Sequence, residues 1–335
     1  MVSKAFSNDP KPLVSVCLPV YNAIKYLPNA FECFASQTYK NIEIVIVDDG
    51  SNDDSGAIAK QLLANHNLSG QVISSTNHGC EQARDLCCSH ANGTILAPFD
   101  ADDKWLPNYI EVMVQVLINN PGVDLVYSDF IEEFEDTGER VSKSSRTPWI
   151  DLAKAEQCQT GVWCFSEKEF FPLLLQGQVI FPPCSMFRKD IYDRVDGYSR
   201  RLPEMKISLD WWFGLRVSAI GSIAFQSQPL LIKYRHSNNL SGNSVKTAKS
   251  DVVVLETLFE DDLVPEDMQN IAHNRAAIRA MDAAYGLFAD ENNNSEARLW
   301  LIKSLKHRLS LRGIKLFLST LAPAFIIKTI RSLRR

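Results

Sequence analysis

Asp100, Asp102 and Asp103 place three carboxylates at the end of an apolar run over residues 94–99. Carboxylates two positions apart at a strand tip can present oxygens to one hard cation while another oxygen contacts a ribose hydroxyl. Mg²⁺ and Mn²⁺ favour such oxygen ligands. The same residues also fit an acidic turn in which Asp102 or Asp103 caps the helix beginning after Pro107. A phosphatase-type Asp nucleophile is disfavoured, because Asp103 stands where that pattern has Thr or Val.

A second acidic turn, VDDGS at residues 47–51, follows another apolar run. An Asp at the tip of a buried strand can accept a hydrogen bond from the N–H edge of a nucleobase. Asp-Gly is also a turn signal, and the Asp can simply cap the next helix. The chain has no G-x-G-x-x-G after its first strand and no G-x-x-x-x-G-K-[ST], which argues against dinucleotide and P-loop sites.

Short β-branched runs alternate with helical patterns through the first 130 positions. The runs lie at 13–20, 42–47, 72–75, 94–99 and 124–130, and the helical patterns at 26–37, 51–63, 80–91 and 107–119. This alternation predicts an α/β fold, a Rossmann-like, mostly parallel sheet with helices on both faces. Ligands bind outside the carboxyl ends of such strands, where Tyr21, Asp49 and Asp100 fall. From residue 251 onward the pattern is helical, with breaks at 292–294 and at Pro323.

The net charge of −5 hides an uneven distribution. Residues 296–335 hold ten Lys or Arg against one Glu, a net of +9, so the other 295 residues carry −14. An acidic body argues against nucleic acid as a partner, because a duplex binder needs a basic face. In residues 309–335 the basic residues alternate with apolar ones at helical spacing, which predicts an interfacial helix on anionic lipid. The alternative is a helix packed on the rest of the protein with a solvated basic face.

Eight cysteines are scattered along the chain, several in apolar runs, and none forms a Cys-x-x-Cys pair. This distribution predicts buried, reduced thiols in a cytosolic protein. The first residues carry no basic-then-apolar signal segment, and no apolar stretch approaches the roughly 18–20 residues of a spanning helix. We therefore expect a cytoplasmic protein, peripheral on the cytosolic face of a membrane where the basic tail binds lipid.

The motifs occur in an order that resembles the family 2 glycosyltransferases, which have the GT-A fold and invert the sugar's configuration. The resemblance covers residues 13–240, and the ordered combination is highly specific. Its segments are VSVCLPVYN at 14–22, IVDDGS at 46–51, Gly79 with Ala83 and Arg84, FDADD at 99–103 with Pro107, FRK at 187–189, DGY at 196–198, LDWW at 209–212 and YR at 234–235.

The resemblance implies a nucleotide-sugar site built from five of these residues. Pro19 and Tyr21 would contact the nucleotide, with the Tyr21 ring stacked on the base. Asp49 would accept a hydrogen bond from the base, and Arg84 would position the base or the phosphates. Asp100 would hold the ribose. The donor would be a nucleoside-diphosphate sugar, with uridine as the default base.

The resemblance also implies a metal ligand and a catalytic base. Asp102 would ligate the Mg²⁺ or Mn²⁺ that bridges the diphosphate. Asp210 matches the acid taken to be the base that removes the acceptor's proton, although Leu209 replaces the Glu that usually precedes it. Arg216 and His236 occupy familiar polar positions, and a structural role is favoured for His236. The acceptor would be a hydroxyl of a glycan or of a lipid-linked molecule, as in cell-surface polysaccharide synthesis.

Two other functions remain as alternatives. A nucleotidyltransferase also places metal-binding Asp residues at strand ends, but it would lack a base like Asp210 and would release pyrophosphate. A non-catalytic sugar-nucleotide-binding protein is disfavoured by the retention of Asp102 and Asp210. Aromatic-rich residues 149–171 and residues 181–183 can line an acceptor site or belong to the core, and the core is slightly favoured. We expect a GT-A domain over 1–245 and a helical C-terminal region over 246–335.

Overall fold

The described strands of this chain belong to one sheet in a computed structural model. The model describes residues 11–142, 154–166, 169–198, 202, 205, 207–235, 244–291 and 293–321. The strands are β1 (Val14–Val20), β2 (Ile42–Asp49), β3 (Gly70–Ser75), β4 (Ile95–Pro98), β5 (Lys104–Trp105), β6 (Leu125–Phe134), β7 (Arg140–Ser142), β8 (Glu156–Gln159), β9 (Val162–Phe165), β10 (Ser185–Arg188) and β11 (Ile223–Arg235).

Four parallel strands in the order β3-β2-β1-β4 form the half of the sheet that holds the sequence motifs. β1 is buried at all seven positions, which means that both faces of this strand are covered. A strand covered on both faces favours continuous β-branched sequence rather than alternation. The carboxyl ends of β1, β2 and β4 therefore lie side by side at one edge of the sheet.

The other half of the sheet is mixed. β10 runs antiparallel to both of its neighbours, β4 and β6. β6 pairs in parallel with β11, whose register shifts between Gln226 and Leu231. After this irregularity β11 continues beside β5, with Leu231 opposite Trp105. The last residues of β11 are thus brought to the acidic turn that precedes β5.

The described helices fall into two sets that follow the division of the chain into two compact units, Met1–Ser237 and Asn238–Arg335. In the first unit, α3 packs on β1 and β2, and α4 packs on β6 and β11. The helices of this unit are α1 (Leu27–Ala35), α2 (Ser55–Asn65), α3 (Cys80–Ser89), α4 (Tyr109–Asn119), α5 (Phe171–Gln176), α6 (Lys189–Arg194) and α7 (Leu209–Ile220).

The second unit is helical in its described residues. It consists of α8 (Ser244–Glu260), α9 (Gln269–Ala289), α10 (Asn294–His307) and α11 (Leu311–Leu321), and each helix packs against the next. Small residues on α9, Ala276, Ala280 and Ala284, are buried and allow its neighbours to approach closely. Among the described helices, none combines the length and the apolar character needed to cross a bilayer.

The predicted fold class is confirmed, and the differences lie in the segments with weak patterns. Pro182–Cys184, part of the residues considered for an acceptor site, forms a 3₁₀ turn, and β10 begins after it at Ser185. Of the aromatic-rich stretch, Phe165, Phe170 and Phe171 are buried in the core, as was slightly favoured. Trp149, His236 and residues 322–335, for which the sequence suggested roles, lie outside the described residues.

The prediction that all the thiols are reduced is wrong at one pair. Cys158 and Cys164 form a disulfide, with their Cα atoms 6.1 Å apart. The two residues lie on β8 and β9, which pair antiparallel and bring positions six residues apart into contact. The sequence of this hairpin has no alternation of apolar and polar residues, and its two cysteines do not have Cys-x-x-Cys spacing, so the sequence did not indicate the disulfide. The other six cysteines are free, and five of them are buried.

Trp105 anchors the chain directly after the acidic turn. Its ring is 1% exposed, stacks on Tyr109 at 4.3 Å between centroids, and meets the edge of Phe99 at 4.7 Å. Its indole N–H donates to the Pro183 carbonyl at 2.7 Å.

We predict that Trp105→Ala lowers the free energy of unfolding by about 3–5 kcal/mol, because it removes a buried aromatic ring. Urea denaturation measures the change. Lys104→Ala is the matched control. Lys104 is the residue next to Trp105 and its side chain is exposed, so its removal should change the free energy of unfolding little. A loss below about 1 kcal/mol for Trp105→Ala would mean that this ring is not part of the core.

Candidate active site

Residues from the tips of three parallel strands form one edge of the site. Tyr21 follows β1 directly and is 48% exposed, so its ring face is available for stacking, whereas Pro19 is buried within β1. The loops after β1 and β2 are tied together. The Asn22 backbone N–H donates to Ser51 Oγ at 3.0 Å, and the Asn22 side chain accepts from Asn52 N–H at 2.8 Å.

Asp49 holds the loop that leads into α3. Its Oδ1 accepts the His78 N–H at 2.9 Å, and its Oδ2 accepts the Gly79 N–H at 2.8 Å. The side chain is almost fully buried. A carboxylate oxygen has two lone pairs, so each oxygen retains the capacity for a further donor. Asp49 therefore has a structural role in this loop in addition to the contact with the base that the resemblance implies.

Arg84 bridges two carboxylates inside the protein. Its guanidinium lies 2.7 Å from Glu81 Oε2 and 2.6 Å from Asp100 Oδ1, and its side chain is only 2% exposed. Burial raises the pKa of Glu81 to about 7, against the opposing attraction of Arg84, and the charges of Asp210 and Asp100 add to the rise. One cation thus serves several carboxylates at this point.

The acidic turn carries a third carboxylate that sequence reasoning assigned to a helix cap or to no role. Asp103 Oδ2 lies 3.7 Å from Lys233 Nζ, and both side chains are largely buried. Burial raises the pKa of Asp103 to about 8, while Lys233 opposes the rise and the charges of Asp100 and Asp102 add to it. The residue flanking the N-terminus of α4 is Asn108, so neither Asp102 nor Asp103 caps that helix.

Asp210 lies in the first turn of α7, and hydrogen bonds reach both of its oxygens. Oδ1 accepts the Trp211 backbone N–H at 2.8 Å, and Oδ2 accepts the Gln178 side-chain N–H. Burial raises the pKa of Asp210, while Arg84 and these two hydrogen bonds oppose the rise and Asp100 adds to it. A base whose pKa is raised toward neutrality takes up a proton more readily.

The structure adds three residues that sequence reasoning missed: Glu81, Gln178 and Lys233. Glu81 stands three positions before Arg84 on α3, a helical spacing that could have identified the pair. Gln178 and Lys233 had no such signal, because their partners Asp210 and Asp103 are distant in sequence. Arg216 lies over the Trp212 ring and reaches the Gly197 carbonyl at 3.4 Å.

With this geometry established, the comparison with protein families is decisive. The model of the family described as glycosyl transferase family 2 matches residues 15–196, which is more than half of the chain. This chain belongs to glycosyl transferase family 2. It is therefore a member of a family of transferase enzymes.

Curated relatives are similar over part of their length. The chain is 28% identical to the glycosyltransferase GlyG of Streptococcus pneumoniae over 187 residues, covering 55% of this chain and 59% of GlyG. It is 33% identical to the putative glycosyltransferase EpsE of Bacillus subtilis over 233 residues, covering 68% of this chain and 74% of EpsE. The chain thus spans less than two thirds of the length of GlyG.

Solved structures share the fold at low sequence identity. A crystal structure of S. aureus TarS in complex with UDP-GlcNAc superposes with a TM-score of 0.64 at 16% identity, covering 90% of this chain and 83% of that chain. The mannosyltransferase PcManGT from Pyrobaculum calidifontis, in complex with GDP-Man and Mn²⁺, superposes with a TM-score of 0.56 at 16% identity, covering 94% and 85%. These likenesses establish the fold of the chain.

We predict that Arg84→Ala lowers the free energy of unfolding by about 3–5 kcal/mol, because Glu81 and Asp100 lose the cation between them. Arg84→Lys should recover only part of the loss, since an ammonium is a point charge that cannot span two carboxylates as a guanidinium does. Urea denaturation at neutral pH measures both variants.

The matched control for this series is Arg140→Ala, which breaks a surface ion pair. Arg140 pairs with Glu133 at 2.7 Å, but its side chain is 60% exposed. Such a pair contributes about 0–1 kcal/mol. Equal losses in Arg84→Ala and Arg140→Ala would refute the central position given to Arg84.

Proposed function

We propose that this chain transfers a sugar from a nucleoside-diphosphate sugar to a hydroxyl of a glycan or of a lipid-linked acceptor, with inversion at the anomeric carbon. The observation that carries the proposal is the proximity of Asp210 to the acidic turn. Asp210 lies on α7, yet Arg84 and Asp100 are close enough to shift its pKa. A base beside a nucleotide site is the arrangement that direct transfer requires, and a nucleotidyltransferase has no use for it.

The donor site extends along the strand tips. Tyr21 stacks on the base, beside Pro19, and Asp49 accepts a hydrogen bond from it. Asp100 holds the ribose, and Arg84 orients Asp100 through their contact at 2.6 Å. We infer a uridine nucleotide, and the TarS complex with UDP-GlcNAc, which shares the fold, supports that choice.

The residues of the acidic turn fit Mg²⁺ or Mn²⁺, with Asp102 as the proposed ligand. Asp100, Asp102 and Asp103 supply hard oxygen donors, and burial, together with the charges of Asp100 and Asp102, raises the pKa of Asp103 to about 8. No three His, Cys, Asp or Glu side chains form a ready-made cage within the described part of the chain. Mg²⁺ is commonly held by one or two carboxylates plus substrate phosphates. When bound, the cation neutralises charge on the leaving diphosphate.

Asp210 performs the proton transfer. Its carboxylate accepts the proton of the acceptor hydroxyl, and the oxygen attacks the anomeric carbon while the bond to the diphosphate oxygen breaks on the opposite side. The sugar becomes oxocarbenium-like during this exchange. Because a single displacement occurs, the configuration inverts. A positioned general base contributes roughly 10²–10⁴-fold to such a rate.

We predict that Asp102→Ala and Asp210→Asn fail in different ways. Asp102→Ala should abolish Mn²⁺- or Mg²⁺-dependent binding of UDP, measured by calorimetry with and without chelator, and should leave the fold intact by circular dichroism. Asp210→Asn should bind UDP and metal like the wild type but lower turnover by about 10²-fold or more.

Turnover is measured as UDP release from UDP-glucose, UDP-galactose and UDP-GlcNAc. Two outcomes contradict the assignments. Full activity in excess chelator would remove the metal from the mechanism. Loss of UDP binding with surviving turnover in Asp210→Asn would make Asp210 a binding residue.

A peripheral position on the cytosolic face of an anionic membrane is the second part of the proposal. Four apolar side chains of α11, Leu311, Ile314, Leu318 and Leu321, are 77%, 40%, 59% and 56% exposed. Their spacing puts them on one helical face. Arg312 and Lys315 are exposed on the same helix. Exposed apolar residues beside cations fit anionic lipid, whereas a soluble surface would favour burial of this face. Such a surface would hold the enzyme near a lipid-linked acceptor.

We predict that the double variant Leu311→Ser, Leu318→Ser weakens binding to phosphatidylserine-containing vesicles about tenfold or more, because two leucines no longer enter the lipid. Co-sedimentation at low salt measures binding. Leu299→Ser, which replaces an exposed leucine of α10, is the matched control. Wild-type protein that ignores these vesicles would refute the membrane surface.

A further inference from the structure

The carboxylate of Asp210 is oriented by two donors from different parts of the chain. The Trp211 N–H belongs to the same helical turn and would be present in any sequence that forms α7. The second donor is the Gln178 side chain, whose Nε2 reaches Asp210 Oδ2 and also lies 3.4 Å from the Ile180 carbonyl. Only this second bond depends on the choice of a side chain.

Packing between α5 and α7 delivers Gln178 to this position. The Trp211 indole N–H donates to the Leu174 carbonyl at 2.8 Å, so α5 is fixed to the first turn of α7. α5 ends at Gln176, and Gly177 continues in an extended conformation, which carries the chain toward Asp210. Leu174 and Trp211 are buried. The distance between Gln178 and Asp210 is therefore set by a rigid contact.

The surroundings of Asp210 otherwise favour its neutral form. Burial is the largest influence and raises its pKa, and the negative charge of Asp100 acts in the same direction. From α3, Arg84 opposes this and Glu81 adds another carboxyl to the cluster. Tyr198 also senses the charge of Asp210. An N–H donor on Oδ2 favours the ionised carboxylate, because the protonated form offers it less negative charge.

We propose that Gln178 is a positioning residue for catalysis, whose amide N–H favours the ionised form of Asp210 and fixes the plane of its carboxylate. This inference rests on the proposed function of Asp210 as the base. With one lone pair on each oxygen already occupied, the acceptor hydroxyl meets a carboxylate in a single orientation. Gln178 itself touches neither the sugar nor the diphosphate, and its effect passes through Asp210.

Two variants test the inference. Gln178→Ala removes the donor, and Gln178→Glu preserves the shape but replaces the donor with a second carboxyl. Gln176→Ala is the matched control, since Gln176 is exposed and its amide donates to the Pro172 carbonyl, one helical turn earlier, at 3.3 Å. The first readout is a ¹³C-carboxyl NMR titration of the substrate-free protein, with the Asp210 signal assigned by its absence in Asp210→Asn.

Both variants should raise the pKa of Asp210, Gln178→Ala by on the order of one unit and Gln178→Glu by more, because a donor to the ionised form is lost. Turnover is measured against pH as UDP release from the same three UDP-sugars with Mn²⁺. The acid limb of this pH profile should move to higher pH by the same amount. On the acid limb turnover should fall about tenfold at a given pH, and it should recover as the pH rises above the pKa of the variant. The UDP dissociation constant should not change.

The outcomes separate this inference from the proposed function. A wild-type titration and a wild-type acid limb in both variants would overturn it. Weaker UDP binding with an unmoved acid limb would also overturn it, since Gln178 would then be a substrate contact. If Asp210→Asn keeps its turnover, the proposed base is wrong. If Asp210→Asn is inactive and the Gln178 variants behave like Gln176→Ala, only the role of Gln178 is refuted.

Discussion

The buried guanidinium of Arg84 is the interaction on which the site depends. It joins α3 to the tip of β4 by contacting Glu81 and Asp100, and its field reaches Asp210 on α7. Removing charges from water is costly, and the cost is offset only where opposite charges meet at close range. Here one cation lies among three carboxyl groups. The cluster therefore holds more carboxyl groups than this one cation can neutralise. Burial is the main cause that raises the pKa of Glu81 to about 7, and the charges of Asp210 and Asp100 add to the rise.

The same imbalance recurs at the acidic turn, where a different element compensates it. Lys233 reaches Asp103 because β11 passes its irregular segment and then pairs with β5. Arg84 contacts Asp100 from α3, whereas Lys233 comes from β11 and lies near Asp103. Asp103 is the buried carboxylate of the turn, and Asp100 and Asp102 are half-buried.

Local sequence patterns were sufficient to predict the parallel half of the sheet and the residues at its strand tips. β1 and β2 are continuous apolar runs, and Asp49 and Asp100 follow such runs, so period and position were enough to predict their edge of the sheet. Gln178 could not be found in this way. Its importance arises from the packing of α5 on α7, and nothing within residues 171–178 indicates a partner at Asp210.

Other features were missed for related reasons. The position of Lys233 depends on the register shift in β11, where Pro229 interrupts the apolar pattern of a strand of thirteen residues. The disulfide between Cys158 and Cys164 depends on a hairpin with little alternation. In each case the contact forms only when two strands pair in the folded chain, so a local sequence pattern does not predict it.

The charge balance also couples the binding of the nucleotide and of the cation in the proposed site. A nucleoside diphosphate would bring further negative charge to a turn where Asp103 already has its pKa raised to about 8 by burial and by neighbouring carboxylates. Nucleotide and divalent cation must therefore favour each other's binding, since linkage between two ligands is reciprocal. The cation would also lower the negative potential felt by Asp210. A less negative potential favours the ionised carboxylate, so the bound cation would increase the share of Asp210 that is ionised and able to accept the proton of the incoming hydroxyl. The hydrogen bond from Gln178 acts in the same direction and does not depend on a bound ligand.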